Sequence, residues 1–291
     1  MLITYKSKIY IAGHKGMVGS SLLKLLKKKG YKNLIVRTKK QLDLTNQNKV
    51  FSFLNKKKPD LVIITAAKVG GIQANNKYKA EFLYQNLSIQ NNLIHGSYLS
   101  GTTDLIFLGS SCIYPKFSKQ PIKEDYLLSG KLEPTNEPYA IAKIAGLKLC
   151  ESYNNQYGTN YKCLMPCNLY GPGDNYDEFN SHFFPALISK IYKASKENSK
   201  EIILWGDGNP LREIMHVDDL SNAIVHFMKK KISHDIINVG SGFEMKIKDY
   251  AKFIMKELNL KMNIKFDKNK PNGTPRKLID SSLAKSYGWE A

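Results

Sequence analysis

The chain has 291 residues, 42% hydrophobic and 24% charged, with 44 Lys and Arg against 25 Asp and Glu for a net charge of +19. That length holds one large α/β domain, or one domain with a smaller second lobe, and the composition excludes a disordered chain. No apolar run reaches the roughly 18–20 residues of a membrane helix, and the start, "MLITYKSKIYIAG", lacks a signal-peptide hydrophobic region with a cleavage site. The expectation is therefore a cytoplasmic protein without a membrane partner.

Short apolar runs alternate with helical patterns. "KIYIAG" (8–13) reads as a strand ending in glycine. "MVGSSLLKLLKKKG" (17–30) reads as an amphipathic helix, with Leu22, Leu25 and Leu26 on one face and Gly30 as its stop. Strand 33–38, a helix over 45–59 closed by Pro59, strand 60–65, a long helix over 80–100 and strand 104–110 follow. A helix over 137–158 carries Pro138 in its first turn, where a missing N–H costs little, and "YKCLMP" (161–166) is a fifth strand. This alternation predicts a doubly wound, Rossmann-like parallel sheet covered on both faces.

After Tyr170 the pattern changes. "GPGDNYDEFNSH" reads as loop, 219–230 as a helix, and "DIINVG" (235–240) as a strand returning to the main sheet. The predicted division is 1–171 plus about 213–240 as a dinucleotide-binding domain, and about 172–212 and 241–291 as a smaller α/β substrate lobe.

Of the four cysteines only Cys163 and Cys167 are close, and no second pair or His cluster completes a zinc site, so free thiols and no metal are expected. The positive charge admits nucleic-acid binding. The lysines, however, are spread along the whole chain and form no aromatic-interleaved arm. The expectation is no nucleic-acid partner, with a field that attracts a phosphate-bearing small substrate.

"GHKGMVG" sets Gly13, Gly16 and Gly19 between the first strand and the first helix. In that context a G-x-x-G-x-x-G loop permits a tight turn and lets helix N-terminal N–H groups meet a pyrophosphate. A carboxylate at the end of the second strand marks an NAD site, but here the strand runs "IVRTKK". Arg37, Lys39 and Lys40, with Lys15 in the loop, suit the extra phosphate of NADP(H), although lysine is common throughout this chain. Asp43 is placed to accept from the adenine amine.

Tyr139 and Lys143 are four apart and project from one helix face. A nearby ammonium lowers a phenol pKa, which makes an acid/base for carbonyl–alcohol interconversion. The spacing alone is not specific, because Tyr192 and Lys196 repeat it. What separates Tyr139 is Ser110 at the tip of the fourth strand, placed to share a substrate oxygen.

The glycine loop, Ser110, Tyr139, Lys143 and "REIMHVDD" (212–219) resemble the extended short-chain dehydrogenase/reductase superfamily. Within it, "AAKVGGIQANN", "LGSSCIYPK", "LEPTNEPYAIAKIAGLKLCESYN", "NLYGPGDN", "NSHFFPALI" and "NGTPRKLID" resemble the GDP-L-fucose synthase family, over about residues 8–280. That resemblance implies an NADPH-dependent oxidoreductase and epimerase acting on GDP-4-keto-6-deoxy-D-mannose. The family inverts C3 and C5 through enolates and then reduces the C4 ketone, giving GDP-L-fucose.

The resemblance further implies Cys112 and His182 as the epimerisation pair, which removes and which returns a proton being left open. Ser110 and Tyr139 polarise the C4 oxygen, and Lys143 holds the nicotinamide ribose. Cofactor contacts are implied for Gly13, His14, Lys15, Gly16, Met17, Val18, Gly19, Arg37, Lys39 and Asp43. They continue at Leu108, Gly109, Ser110, Ser111, Lys143, Pro166, Cys167, Asn168, Leu169 and His182. Substrate contacts are implied for Lys190, Trp205, Arg212 and Asn272, with Arg212 as a bidentate pyrophosphate partner and Trp205 as a flat packing face. A homodimer through the helices around 80–100 and 137–158 is implied as well.

Alone, Cys112 reads equally as a packed small hydrophobe, His182 as a loop or capping residue, Trp205 as core and Arg212 as a surface ion pair. Lys39 and Lys190 stand where the family pattern has arginine, Asn272 where an acid is common and Cys167 where threonine is usual. Two rival expectations stay open: an epimerase or reductase for another nucleotide sugar, and a non-catalytic NADP-binding paralogue.

Overall fold

The computed structural model describes residues 3–177, 180–270 and 272–291; positions 178 and 179 of the loop string lie outside them. In chain order the elements begin β1 (Ile9–Ala12), α1 (Met17–Lys28), β2 (Leu34–Val36), α2 (Gln47–Lys57), β3 (Leu61–Ile64), α3 (Ile72–Lys77), α4 (Lys79–Leu99) and β4 (Asp104–Leu108). They continue α5 (Glu137–Tyr157), β5 (Asn160–Pro166), β6 (Asn168–Tyr170), α6 (Phe183–Lys196), β7 (Glu201–Trp205), β8 (Leu211–His216), α7 (Val217–Phe227) and β9 (Ile236–Val239). Last come β10 (Glu244–Lys246), α8 (Ile247–Glu257), β11 (Asn263–Asp267), β12 (Arg276–Lys277) and α9 (Ser282–Ser286).

Six parallel strands form the main sheet in the order β2-β1-β3-β4-β5-β9. Every residue of β1, β3 and β4 is buried, which explains their continuous apolar runs: helices cover both faces, so no position alternates out to water. The edge strand β2 is only half-buried. The chain moves outward from β1 to β2 and then returns to the other side at β3. The crevice at that reversal, beyond the strands' carboxyl ends, is where open α/β sheets take ligands.

Each helix has a local cause. Leu22 and Leu26 bury one face of α1 against the sheet, and Gly30 ends it in the left-handed region (φ +86°). In α2 the Asn46 side chain accepts from Lys49 N–H at 3.0 Å, a cap that organises the first turn. The two 21-residue helices α4 and α5 pack on each other. Gln90 on α4 donates to the Ala142 carbonyl of α5 at 2.6 Å, satisfying a polar group that would otherwise be buried alone.

A second, smaller apolar cluster is built from Phe184, Leu187 and Ile191 of α6, Ile202 and Leu204 of β7, and Tyr250, Ile254 and Met255 of α8. Beside it, β8 lies between antiparallel β10 and parallel β12, with β6 also pairing to β8. The end of the chain packs away from that smaller cluster. Ile279, Ala284 and Trp289 sit in the large cluster with the main sheet, because Ile279 bridges Ile122 and α9 packs on β9. Among the described residues no helix is long and apolar enough to cross a membrane, no group of His, Cys, Asp and Glu could hold a metal, and the four cysteines are free thiols.

Candidate active site

The glycine loop sits at the sheet's reversal point. Gly13 has φ +94°, and a methyl there would lie 2.6 Å from Ala66 N. A methyl on Gly19 would lie 2.3 Å from Gly13 O, so both glycines are required by the fold. Gly16 differs: its methyl would meet only Gly13 O, at 3.5 Å, an ordinary contact. The protein's own packing does not need glycine at 16, whereas a phosphate resting on the loop does. Gly16 is also the N-cap of α1 and supplies no side-chain cap, so the first-turn N–H groups at Met17, Val18 and Gly19 open onto that space. His14 contributes a buried Nδ1 without a partner, and burial, then Lys15, lowers its pKa.

The cations after β2 divide in two. Lys15 and Lys39 are exposed. Arg37 is half-buried, lies 5.4 Å from the Phe53 ring centre and donates to its neighbour's carbonyl, Val36 O, at 2.7 Å. Asp43 is partly committed too, because Oδ1 accepts from Thr45 N at 3.0 Å and Thr45 Oγ1 at 2.8 Å, which holds its carboxyl below the usual range.

At the end of β4, Leu108 O accepts from Lys143 Nζ at 2.7 Å, and Gly109 N–H donates to Leu164 O at 2.9 Å. Ser110 caps a short 3₁₀ turn, Ser111–Ile113, by accepting from Cys112 N–H at 3.3 Å, so its own hydroxyl proton remains available to donate. The turn brings Cys112 back beside Ser110. Tyr139 and Lys143 reach the same place from α5, with Lys143 Nζ 5.8 Å from the Tyr139 ring centre and 4.7 Å from that of Phe107.

The titrations depart from the simple expectation. Burial drags the Lys143 ammonium down to about 8. Burial, with Cys112 adding to it, pushes the Tyr139 phenol well above its usual value. The expected lowering of Tyr139 by Lys143 is absent, because desolvation outweighs a charge that is itself hydrogen-bonded to Leu108. Burial also raises the Cys112 thiol, against the charges of Lys277 and Lys143. His182 is lowered by its protein surroundings and by Lys277.

His182 is the N-cap of α6 and uses no side-chain cap bond, so its ring is spare. It is held in place from behind. Gly71 N–H donates to Asn180 O at 2.8 Å, and a methyl on Gly71 would lie 2.1 Å from Ser181 O. Asn75 Nδ2 fixes the Gly70 and Gly71 carbonyls at 2.6 and 3.0 Å, and Asn86 clamps both backbone groups of Lys68. The string "AAKVGGIQANN" thus builds the wall that carries His182.

Beyond β5, Pro166 and Cys167 are buried while Asn168 and Leu169 are half-buried. Asn168 Nδ2 donates to Glu213 O at 2.9 Å. In the lobe, Lys190 Nζ donates to Ile203 O at 2.7 Å, and Lys270 lies 5.6 Å from the Trp205 ring centre. Asn272 Oδ1 accepts from Asp207 N–H at 2.9 Å.

Arg212, expected as a pyrophosphate partner, already has chain partners of its own. It is buried, donates through Nη1 to Leu211 O at 2.8 Å and Thr274 O at 2.7 Å, and is pulled down to about 10 by burial. Its donors are largely spent on the chain's own loop, which they hold against β8. Sequence reasoning missed Lys277, whose charge acts on Cys112 and on His182. It lay inside a quoted string, but only the pairing of β12 with β8 brings it to the site.

Comparisons with known proteins show the family and the fold. Residues 9–240 match the NAD dependent epimerase/dehydratase family. The chain is 47% identical over 295 residues to GDP-L-fucose synthase from Escherichia coli (strain K12), covering 98% of this chain and 91% of that one. A GDP-6-OMe-4-keto-L-xylo-heptose reductase from C. jejuni superposes with TM-score 0.91 at 35% identity, over 100% of this chain and 94% of the other. A GDP-L-fucose synthetase from Naegleria fowleri bound to NADP superposes with TM-score 0.89 at 26% identity, over 100% of this chain and 92% of the other.

Proposed function

Since the chain belongs to the NAD dependent epimerase/dehydratase family, we propose that it converts GDP-4-keto-6-deoxy-D-mannose to GDP-L-fucose, inverting C3 and C5 and reducing C4 with NADPH, in the cytoplasm. The observation that supports the reading is that Cys112 sits in the turn capped by Ser110, which Tyr139 and Lys143 approach from α5, while Lys277 acts on both Cys112 and His182. Ser110, Tyr139 and Lys143 suit a carbonyl reduction, and Cys112 with His182 suits proton exchange beside that carbonyl. A plain reductase needs only the first set.

The glycine loop fits a dinucleotide, because Gly16 leaves the space a phosphate takes and α1 offers its first-turn N–H groups. Lys15 and Lys39 would hold the extra phosphate of NADPH, with Arg37 behind them. When bound, NADPH supplies the hydride for C4.

The chain's own groups do the rest. Ser110 donates its hydroxyl proton to the C4 oxygen, and the Tyr139 phenol, kept protonated by burial, donates beside it. Both stabilise enolate oxygen during epimerisation, and Tyr139 delivers its proton to that oxygen at reduction. Cys112 and His182 together hold one proton near pH 7, resting on the thiol because its pKa is raised and that of the imidazole lowered; the form that acts carries it on His182 and leaves the Cys112 thiolate as base. A single proton between two groups lets one remove a proton from carbon while the other returns one to the opposite face. Lys143 keeps Leu108 and the turn after it in place, and its ammonium would hold the ribose of the nicotinamide.

Lys190, Trp205 and Asn272 would receive the GDP portion, with Arg212 holding the 272–274 loop that presents Asn272. The separate apolar cluster of α6, β7 and α8 supports a lobe distinct from the dinucleotide-binding sheet. Exposed Tyr84, Leu99, Ile141 and Tyr157 on α4 and α5 support a homodimer through those helices. The test is incubation with the 4-keto sugar and NADPH, following loss of NADPH absorbance and identifying the product. GDP-L-fucose supports the reading. A second reading, a C4 reductase for another GDP-linked 4-keto sugar, draws on the C. jejuni enzyme's likeness and predicts a product with C3 and C5 unchanged.

A further inference from the structure

One cation of the cleft has no assigned task. Lys277 is the second residue of β12, and its register partner in parallel β8 is the buried Arg212. Partners in a parallel ladder present their side chains on the same sheet face, so Lys277 shares the face that Arg212 occupies. Its strand is held from several sides. Leu278 N–H donates to Gln120 Oε1 at 2.9 Å, Ile279 N–H to Glu213 Oε2 at 3.1 Å, and Arg276 Nε to Glu244 Oε1 at 2.7 Å.

The Lys277 side chain itself makes no hydrogen bond and no ion pair among the described residues. It lines a small enclosed space together with Cys112, Ser111, Glu133, Asn136 and Thr274. Lys277 is half-buried, and an ammonium drawn partly out of water with no partner is costly. A fold retains one where a negative charge forms beside it during function.

We propose that Lys277 is the positioning residue for Cys112, supplying the counter-charge that stabilises its thiolate and sets the pH range in which Cys112 acts as a base. This deepens the epimerase reading and rests on it only for the consequence. When the thiolate takes a proton from the carbon beside the ketone, an S–H bond forms and the C–H bond breaks. The electron pair of that bond passes to the C4 oxygen as enolate. Lys277, which lines the same space as Cys112, keeps its own proton throughout.

The surrounding charges are consistent with this task. Burial opposes the Cys112 thiolate, and among the influences that favour it Lys277 comes first, ahead of the Ser110 hydroxyl and Lys143; the Tyr139 phenol also faces Cys112. Lys277 is itself faced by Cys112, Arg212, Cys167 and Glu133, and its charge bears on His182.

The experiment titrates the ultraviolet absorbance of the thiolate in the intact protein, with Cys112→Ser backgrounds subtracted to isolate Cys112. It compares the unmodified chain with Lys277→Met, Lys277→Gln and Lys277→Arg. Removing a facing cation raises the Cys112 midpoint by about one pH unit, roughly tenfold less thiolate at any pH below it. Lys277→Arg keeps the charge and is expected to hold the midpoint near its original value. Melting curves identify any neutral variant that fails to fold, and the other then supplies the comparison. An unchanged midpoint in the folded neutral variants overturns the proposal. So does an equal upward shift in Lys277→Arg, which would mark a packing role. A substrate-binding role alone would raise KM and leave the midpoint unmoved. No substrate enters the titration, so its outcome is independent of whether the epimerase reading holds.

Discussion

Gly71→Ala is a sharp test of the wall that carries His182. Alanine tolerates the backbone, since Gly71 has φ −69°. The added methyl would lie 2.1 Å from Ser181 O, against roughly 3.3 Å for a close carbon–oxygen contact. The 180–182 backbone must therefore retreat by about 1 Å, and the 2.8 Å bond from Gly71 N–H to Asn180 O stretches with it. The strain costs about 1–3 kcal/mol of stability, visible as a lower Tm. A misplacement of that size at an acid/base group costs roughly 10²-fold in rate. The assay follows solvent-deuterium entry at C3 and C5 of the 4-keto sugar, beside NADPH affinity measured separately. Exchange should fall by about two orders of magnitude, far more than NADPH binding weakens, because the added methyl meets Ser181 O and no part of the glycine loop. A folded Gly71→Ala protein that exchanges at the original rate would refute this placement of His182.

Other consequences can be checked with the same preparations. Cys112→Ser and His182→Gln should each lower deuterium entry at C3 and C5 far more than reduction of an already epimerised ketone; equal losses would contradict the division of roles. The pH profile of exchange should show a wide plateau. It falls on the acid side as the pair gains a second proton at His182, below pH 6.5 because that pKa is lowered, and on the basic side as the pair loses the one proton it needs, above pH 9.0 because the Cys112 pKa is raised. A maximum confined to one pH unit would count against the pair. Gly16→Ala should fold normally yet bind NADPH about tenfold or more weakly, the loss of a charge-assisted hydrogen bond. Gly19→Ala should lose about 1–3 kcal/mol of stability as its methyl meets Gly13 O. Identical behaviour of the two variants would remove the argument for a phosphate over Gly16.

Much of the main sheet was legible because its strands are buried on both faces. "DLVIIT" and "DLIFLGS" announce β3 and β4 without any alternation to decode, and "DIINVG" joined the sheet beside β5 as expected. The lobe resisted. β7 alternates buried and exposed positions over five residues, and β12 has only two, too short for a periodic signal. The positions of Ser110, Tyr139 and Lys143 were legible because they lie on a strand tip and a helix. The burial of Arg212 could not be read, because nothing local shows that the Asn272 and Thr274 carbonyls meet its guanidinium. Lys277 was invisible among 44 cations until β12 was seen beside β8. The titrations could not be read either, since burial, which sequence spacing does not report, outweighs the neighbouring charges at both Tyr139 and Cys112.

The central claim is that one cleft both epimerises and reduces. Its most direct test is turnover of GDP-4-keto-6-deoxy-D-mannose with NADPH in deuterium oxide, followed by analysis of the product's ring positions. The account predicts GDP-L-fucose with deuterium at C3 and C5 and protium at C4. A reduced product with protium at all three positions would contradict it.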